Sequence, residues 1–405
     1  MVDPPGAVVT GTNRIALAVA RSLGRRGIRV LLVRTLDHDV TMLSRYVSSR
    51  RTWHGGQSAG AGDLLALAVR EGFEGAVVVP TDDEQAALIA RNHDALSQRL
   101  RVSVPPWETL RQAYDKREMH RLATSLGLDQ PWTRMPETTD EVAELDCPYP
   151  VIIKPAIKPA TNALTKAKAW RVDDRDELVR RYSAACRLVD PRTILIQELV
   201  PGDGRMQLSF GALCSRGEVV ASLTARRRRQ YPVDFGRNST FVETADEPDI
   251  EEPARRLLAA MGWTGLAEVE FKRDAEDGRL KLLEVNPRLW GWHSIGRRAG
   301  IDFPYLLFRL LGGDAVPRLR ARVGVRWVRM LTDLPAAALE LRRGSLDLPD
   351  YISSLGGPIE REMFAADDPL PGLLELPILA AVELASRLEG RHGRAVEHNH
   401  VRPAA

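Results

Sequence analysis

The sequence predicts an α/β, doubly wound amino-terminal domain over residues 1–105, α+β domains over 106–312 and a helical C-terminal extension over 313–405. Three patterns carry that prediction. Short apolar runs alternate with amphipathic helices in the first hundred residues, longer antiparallel strand patterns follow, and an Arg-rich segment dotted with Pro closes the chain. At 405 residues the chain exceeds what one hydrophobic core usually serves, so more than one domain is expected.

The first unit is βαβ. Ala7-Val8-Val9 reads as a strand ending at Gly11, residues 13–26 as a helix and Val30 to Val33 as the next strand. Residues 63–72 read as a helix, Gly75 to Val79 as a buried parallel strand ending at Pro80, and 83–99 as the helix after it. The first turn, Gly11-Thr12-Asn13-Arg14, lacks the later glycines that let backbone approach a dinucleotide pyrophosphate, which argues against an oxidoreductase. Residues 10–13 and 81–84 lie at strand carboxyl ends, where they either face a ligand or cap helices. Val104-Pro105-Pro106 marks a boundary. Strands are then expected at 149–154, 168–172, 193–199, 206–214, 218–225, 265–272 and 279–285, with helices near 174–188 and 249–261. The extension ends in an amphipathic helix near 376–389, expected to pack on the main body, and a polar tail.

Composition excludes several classes. Hydrophobic residues at 44% and charged residues at 27% are ordinary globular values. A net charge of +3 over this length does not call for nucleic acid. Cys147, Cys186 and Cys214 are an odd number without metal-ligand spacing, so free thiols are expected. No basic leader or long apolar run is visible, so no membrane span is expected and the cytoplasm is the expected location. Lysine is scarce beside arginine, and five of the lysines (Lys116, Lys154, Lys158, Lys166, Lys168) fall close together. A compact ammonium suits point contact with phosphate; the bland alternative is a solvated face.

Three motif clusters follow in order. Tyr114-Asp115-Lys116 opens a helix, and Tyr149 to Pro155 is an apolar strand carrying Lys154 near its end. Residues 196–202 (IQELVPG) pair with a distal Glu270-Phe271 and with Leu283-Glu284-Val285-Asn286-Pro287-Arg288. A hairpin turning at 275–278 would set Glu270 and Glu284 side by side, with Asn286 on the same face of its strand. Like charges so placed need a cation between them, and two carboxylates with an amide oxygen make a typical Mg²⁺ set once phosphate completes the sphere. Arg288 continues that face and can hold a transferred phosphoryl group.

With these clusters in order, the chain from about residue 6 to 312 resembles the ATP-grasp superfamily, in particular the carbamoyl-phosphate-synthase-like carboxylate–amine ligases. The resemblance implies ATP and Mg²⁺, or Mn²⁺, as cofactors and a lid spanning about 130–197. It assigns Lys116 and Lys154 to the nucleotide, Gln197, Glu198 and Val200 to the adenine and Asp203 to the ribose. It assigns Glu270, Glu284 and Asn286 to the metal, and Arg288 with Arg226 or Arg229 to the transferred phosphate. The family's lid loop is usually glycine-rich, whereas residues 156–170 contain no glycine; Lys158, Lys166 and Lys168 are expected to compensate with side-chain charge. The activity implied is phosphorylation of a carboxylate, an amino acid or other small metabolite, and its joining to an amine through an acyl phosphate, with release of ADP and phosphate. The alternatives are a carboxylase or kinase on the same fold, and a non-catalytic ATP-binding regulator.

Overall fold

The computed structural model describes residues 5–34, 40–53, 60–157, 162–164, 169–233 and 238–382. Lys158, Lys166 and Lys168 lie outside them.

The amino-terminal sheet comprises β1 (Ala7–Thr10), β2 (Val30–Arg34), β3 (Ser49–Thr52), β4 (Val77–Pro80) and β5 (Arg101–Val102), all parallel, in the order β3-β2-β1-β4-β5. Every residue of β1 and β4 is buried, as parallel strands covered on both faces require. Helices α1 (Arg14–Gly24), α2 (Ala61–Arg70), α3 (Asp83–Arg91) and α4 (His93–Ser97) accompany the strands. Asn13 caps α1 by accepting from the Ile15 and Ala16 amides, and Asp82 caps α3 by accepting from Gln85 N. The single helix expected over 83–99 is two, broken at Asn92, whose side chain bonds back to Leu88 O at 2.8 Å.

Helices α5 (Trp107–Tyr114) and α6 (Lys116–Ser125) lead into a small antiparallel sheet. Its strands β6 (Thr133–Arg134), β7 (Val151–Pro155), β8 (Trp170–Val172) and β9 (Ile194–Glu198) lie in the order β6-β9-β7-β8. Val151, Ile153, Val172, Ile194 and Ile196 pack with Leu178 and Tyr182 of helix Arg175–Cys186 into a core of their own.

The third sheet has eight strands: β10 (Gln207–Ser215), β11 (Glu218–Tyr231), β12 (Asn238–Thr244), β13 (Gly265–Arg273), β14 (Leu280–Asn286), β15 (Leu319–Arg320), β16 (Arg326–Val328) and β17 (Ile359–Arg361). The path is β14-β13-β10-β11-β12-β16-β17, with β15 beside β11. The expectation of a helical extension is therefore corrected. β15, β16 and β17 continue this sheet, and helices Met330–Arg342 and Leu348–Ser354 lie between β16 and β17.

Residues 359–368 also brace the first domain. Asp368 takes the buried Arg21 Nε at 2.9 Å and Ser44 Oγ at 2.7 Å, and Asp367 takes both Arg25 and Tyr46 Oη. The Asp-Asp-Pro stretch at 367–369 thus clamps α1, and the hydrogen bond from Arg25 holds Asp367 well below the usual carboxylate range. Residues 370–382 are helical, starting earlier than expected, and residues 383–389 of the expected helix lie outside the described residues. That helix meets the body through Glu375 on Arg329, whereas Leu373, Leu376 and Leu379 face outward. No helix among the described residues is long and apolar enough to cross a membrane, and all three cysteines are free thiols.

Candidate active site

The β13–β14 hairpin sets Glu270 directly opposite Glu284 and Glu268 opposite Asn286. Alternation puts Glu268 and Glu270 on one face of β13, and both are buried. Asn286 Nδ2 donates to Glu268 Oε2 and to Glu270 Oε1, each at 2.9 Å. Gln207 Nε2 donates to Glu270 Oε2. With both amide protons spent on carboxylates, Asn286 Oδ1 is the atom left for a cation.

Burial, followed by the charge of Glu270, pushes Glu268 up to about 8, against the partial relief of Arg288 and Arg227. Glu284 meets Lys116 Nζ at 3.3 Å. Among the described residues no three His, Cys, Asp or Glu side chains form a ready cation site. Two carboxylates and an amide oxygen are hard donors that suit Mg²⁺ or Mn²⁺ when further oxygens come from a phosphate. Glu268 was not singled out in the sequence, although its spacing two residues before Glu270 carried the signal.

The lysines enter from the other side. Asp115 caps α6 by accepting from Arg117 N, which starts the helix at Lys116, and Lys116 N donates to Ala156 O just past the end of β7. That bond brings the start of α6 beside Lys154, whose half-buried side chain helps burial to hold His120 below its ordinary range. Lys116 lines a cleft of about 220 Å³ with Tyr114, Glu284, Asn286 and the acidic Asp82-Asp83-Glu84 turn. Asp83 of that lining pairs with Arg288, Nε to Oδ1 at 2.9 Å.

The segment after β9 is fastened at several points. Gln197 is buried and bonds Thr133 Oγ1 at 2.9 Å. Glu198 grips Trp132 twice, its N donating to Trp132 O at 2.8 Å and its Oε2 accepting from Trp132 N at 3.0 Å. Lys281 pairs with Glu198 and with Asp274, and Lys272 donates to the carbonyls of Val200 and Gly202. The two lysines outside the sequence cluster therefore tie this segment to the core hairpin, a role composition did not reveal. Asp203 is exposed and caps the short turn Gly204–Met206.

Two expected arginines are elsewhere. Arg226 pairs with Glu247 on the opposite sheet face, and Arg229, past an irregularity in the β11–β12 register, forms a buried pair with Asp333 at 2.8 Å. Alternation along β11 makes Arg227 the residue facing the carboxylates, 3.9 Å from Glu270. Arg226 and Arg229 are thus turned to Glu247 and Asp333, and Arg227 is the arginine of the three nearest the carboxylate hairpin.

Residues 190–331, which include the segment after β9 and this carboxylate hairpin, match the family model described as ATP-grasp in the biosynthetic pathway with Ter operon. The matched stretch is about a third of the chain. A carbamoyl phosphate synthase large chain of Thermus thermophilus is 24% identical over 197 residues, 47% of this chain and 18% of that protein. The chain thus spans less than a fifth of that relative's length. The L-amino acid ligase of Bacillus licheniformis superposes with a TM-score of 0.60 at 18% identity, covering 77% of this chain and 75% of that one. The biotin carboxylase domain of Hydrogenobacter thermophilus 2-oxoglutarate carboxylase, solved with MgADP and bicarbonate, gives 0.62 at 18% identity, covering 79% and 73%. At these identities the structural likeness establishes the ATP-grasp fold.

Proposed function

We propose that this chain is an ATP-dependent ligase that phosphorylates a small-molecule carboxylate and joins the resulting acyl phosphate to an amine. One observation carries the reading: Glu270 and Glu284 are directly opposed in a largely buried strand pair, with Asn286 on the same face and Lys116 reaching Glu284 across the cleft. Nothing structural requires such a concentration of like charge, and a phosphoryl-transfer site does.

Mg²⁺ bound by Glu270, Glu284 and Asn286 would neutralise charge on the nucleotide phosphates. Lys116 and Lys154 hold those phosphates, and Lys166 is assigned to them from the sequence alone. Adenine lies against the hinge at Gln197, Glu198 and Val200, read through backbone groups because the Glu198 side chain is already engaged by Trp132 and Lys281. Asp203 is assigned to the ribose from the sequence resemblance. Arg288 and Arg227 steady the group in transfer.

A carboxylate oxygen of the substrate attacks the γ-phosphorus and the bond to the β-bridging oxygen breaks, releasing ADP. The amine nitrogen then attacks the acyl carbon, inorganic phosphate departs, and the surplus amine proton goes to solvent. No protein nucleophile is used; positioning and charge neutralisation supply the rate. Screening acid–amine pairs for ADP release with mass detection of the product tests the proposal. Release that needs both partners supports a ligase, whereas release on bicarbonate alone assigns the site to carboxyphosphate chemistry.

A further inference from the structure

Glu268 is a buried carboxyl group that the ligand set leaves unused. It is 3% exposed and sits two residues before Glu270 on the same face of β13, a costly place for an acid beside a like charge. The cleft that holds Lys116 is lined by Glu284 and Asn286 and, among the described residues, not by Glu268. Glu268 therefore stands behind the cleft wall, where it can act only through a neighbour.

The neighbour directly opposite it in the β13–β14 register is Asn286. An asparagine amide exchanges its oxygen and nitrogen by a half turn about its last bond, with little change of shape, so a cation ligand of this type needs something to choose the orientation. Two contacts choose it. Asn286 Nδ2 lies 2.9 Å from Glu270 Oε1 and 2.9 Å from Glu268 Oε2. The Glu270 carboxylate accepts only, so the amide nitrogen faces it, and turning the amide over would set Oδ1 against Glu270. Glu268 takes the second N–H, and does so with or without a proton of its own, because a neutral carboxyl keeps a carbonyl oxygen. With both hydrogens placed, Oδ1 is left for the cleft that Asn286 lines.

The acceptor is itself held. Ser209, on the same face of the adjoining strand β10, gives Glu268 a side-chain hydrogen bond. Gly211 is the β10 residue paired with Glu268, and the buried Trp290 packs over it so closely that a Cβ there would stand 2.3 Å from Trp290 Cζ2. An indole thus fills the space beside Glu268. Side chains locked in this way by packing and hydrogen bonds are what keep a ligand in a productive geometry.

We propose that Glu268 is a positioning residue, which fixes the Asn286 amide with its oxygen toward the cleft so that the Mg²⁺ site is ordered before Mg-ATP arrives. The assignment rests on the metal site of the ligase reading above and deepens it, and it is the same for any acid or amine.

Manganese is the probe, titrated into protein held in excess over a non-hydrolysable ATP analogue, with the free ion read by electron paramagnetic resonance. Glu268→Met keeps the length of the side chain and loses the acceptor, and should weaken the ion about 10–100-fold. Glu268→Gln still offers a carbonyl oxygen and should stay within about threefold of wild type. Analogue binding without metal, measured by calorimetry, should move by no more than about twofold in either variant. In an Asn286→Ala background Glu268→Met should cost no more than about twofold further, because its route to the ion is gone. Wild-type manganese affinity in folded Glu268→Met, a loss in Glu268→Gln as deep as in Glu268→Met, or an undiminished loss in the Asn286→Ala background overturns the positioning role and leaves the metal site standing. Glu268→Leu takes the place of Glu268→Met if the latter does not fold, and the Glu268→Gln measurement needs neither. Absence of manganese binding to wild type with the analogue present overturns the metal site and the positioning role together, whereas a failed acid–amine screen overturns the ligase reading and leaves both in place.

Discussion

Replacing Glu284 by Gln removes one charge from the hairpin while keeping its shape. In the free protein two effects oppose each other. The Lys116 partner at 3.3 Å is weakened, and both side chains are mostly buried (14% and 16% exposed), so about 1–3 kcal/mol of charge-assisted contact is at stake. Repulsion from Glu270, directly opposite in register, is relieved by a similar amount. The net change in stability should fall within about 1 kcal/mol, a melting shift of no more than about 4 °C. Turnover is a different matter, because phosphoryl transfer loses a group that neutralises developing charge; a fall of about 10²–10³, or roughly 3–4 kcal/mol of barrier, is expected. Differential scanning fluorimetry with and without Mg-ATP, beside steady-state ADP release, reads both quantities. Turnover within about threefold of wild type, together with a melting point lowered by about 10 °C, would make the hairpin a structural device and refute the reasoning.

Further outcomes follow from the same geometry. Lys154→Ala should weaken nucleotide binding by about 1.5–3 kcal/mol, measured by titration of a non-hydrolysable ATP analogue, and unchanged affinity would remove Lys154 from the nucleotide site. Asp333→Ala leaves Arg229 buried without its carboxylate and should cost about 3–5 kcal/mol in urea unfolding, while the protein that remains folded still binds nucleotide. Loss of nucleotide binding in that variant would return Arg229 to the active site. His293 is buried with Nδ1 2.8 Å from Trp290 O, and burial, the dominant cause, lowers its pKa from 6.5 to about 4. The unfolded chain therefore binds a proton between those values that the folded chain does not, so stability is lost as pH falls from 6.5 toward 4, by about 2 kcal/mol at pH 5. His293→Gln should remove that step from unfolding curves taken at pH 7 and pH 5, and an unchanged step would place the titration elsewhere.

What the sequence made legible depended on how local the determinants were. The Glu270, Glu284 and Asn286 set emerged because alternation along two strands joined by a short turn fixes which side chains share a face. The same rule applied one step further would have included Glu268, the most perturbed carboxylate of the group. Which arginine of the run lies beside the carboxylates was not legible, because the register shifts between Arg227 and Arg229, which sends neighbouring arginines to different surroundings, and no residue type announces such a shift. The extension was read as helical because its strands are two or three residues long and exist only through pairing with β11, β12 and each other. Asp367 and Asp368 had no visible role for the same reason: their partners Arg21, Arg25, Ser44 and Tyr46 lie more than 300 residues away.

The central claim is that a carboxylate of the substrate attacks ATP at this site, and isotope transfer tests it most directly. The acid identified in the screen, labelled with ¹⁸O in its carboxylate, is turned over with ATP and amine, and the released phosphate is analysed by mass. One ¹⁸O per phosphate, with ADP as the nucleotide product, is the predicted result, because the oxygen that bonded phosphorus leaves with it. Label recovered in AMP, with pyrophosphate as the other product, would show adenylation of the acid and contradict the account.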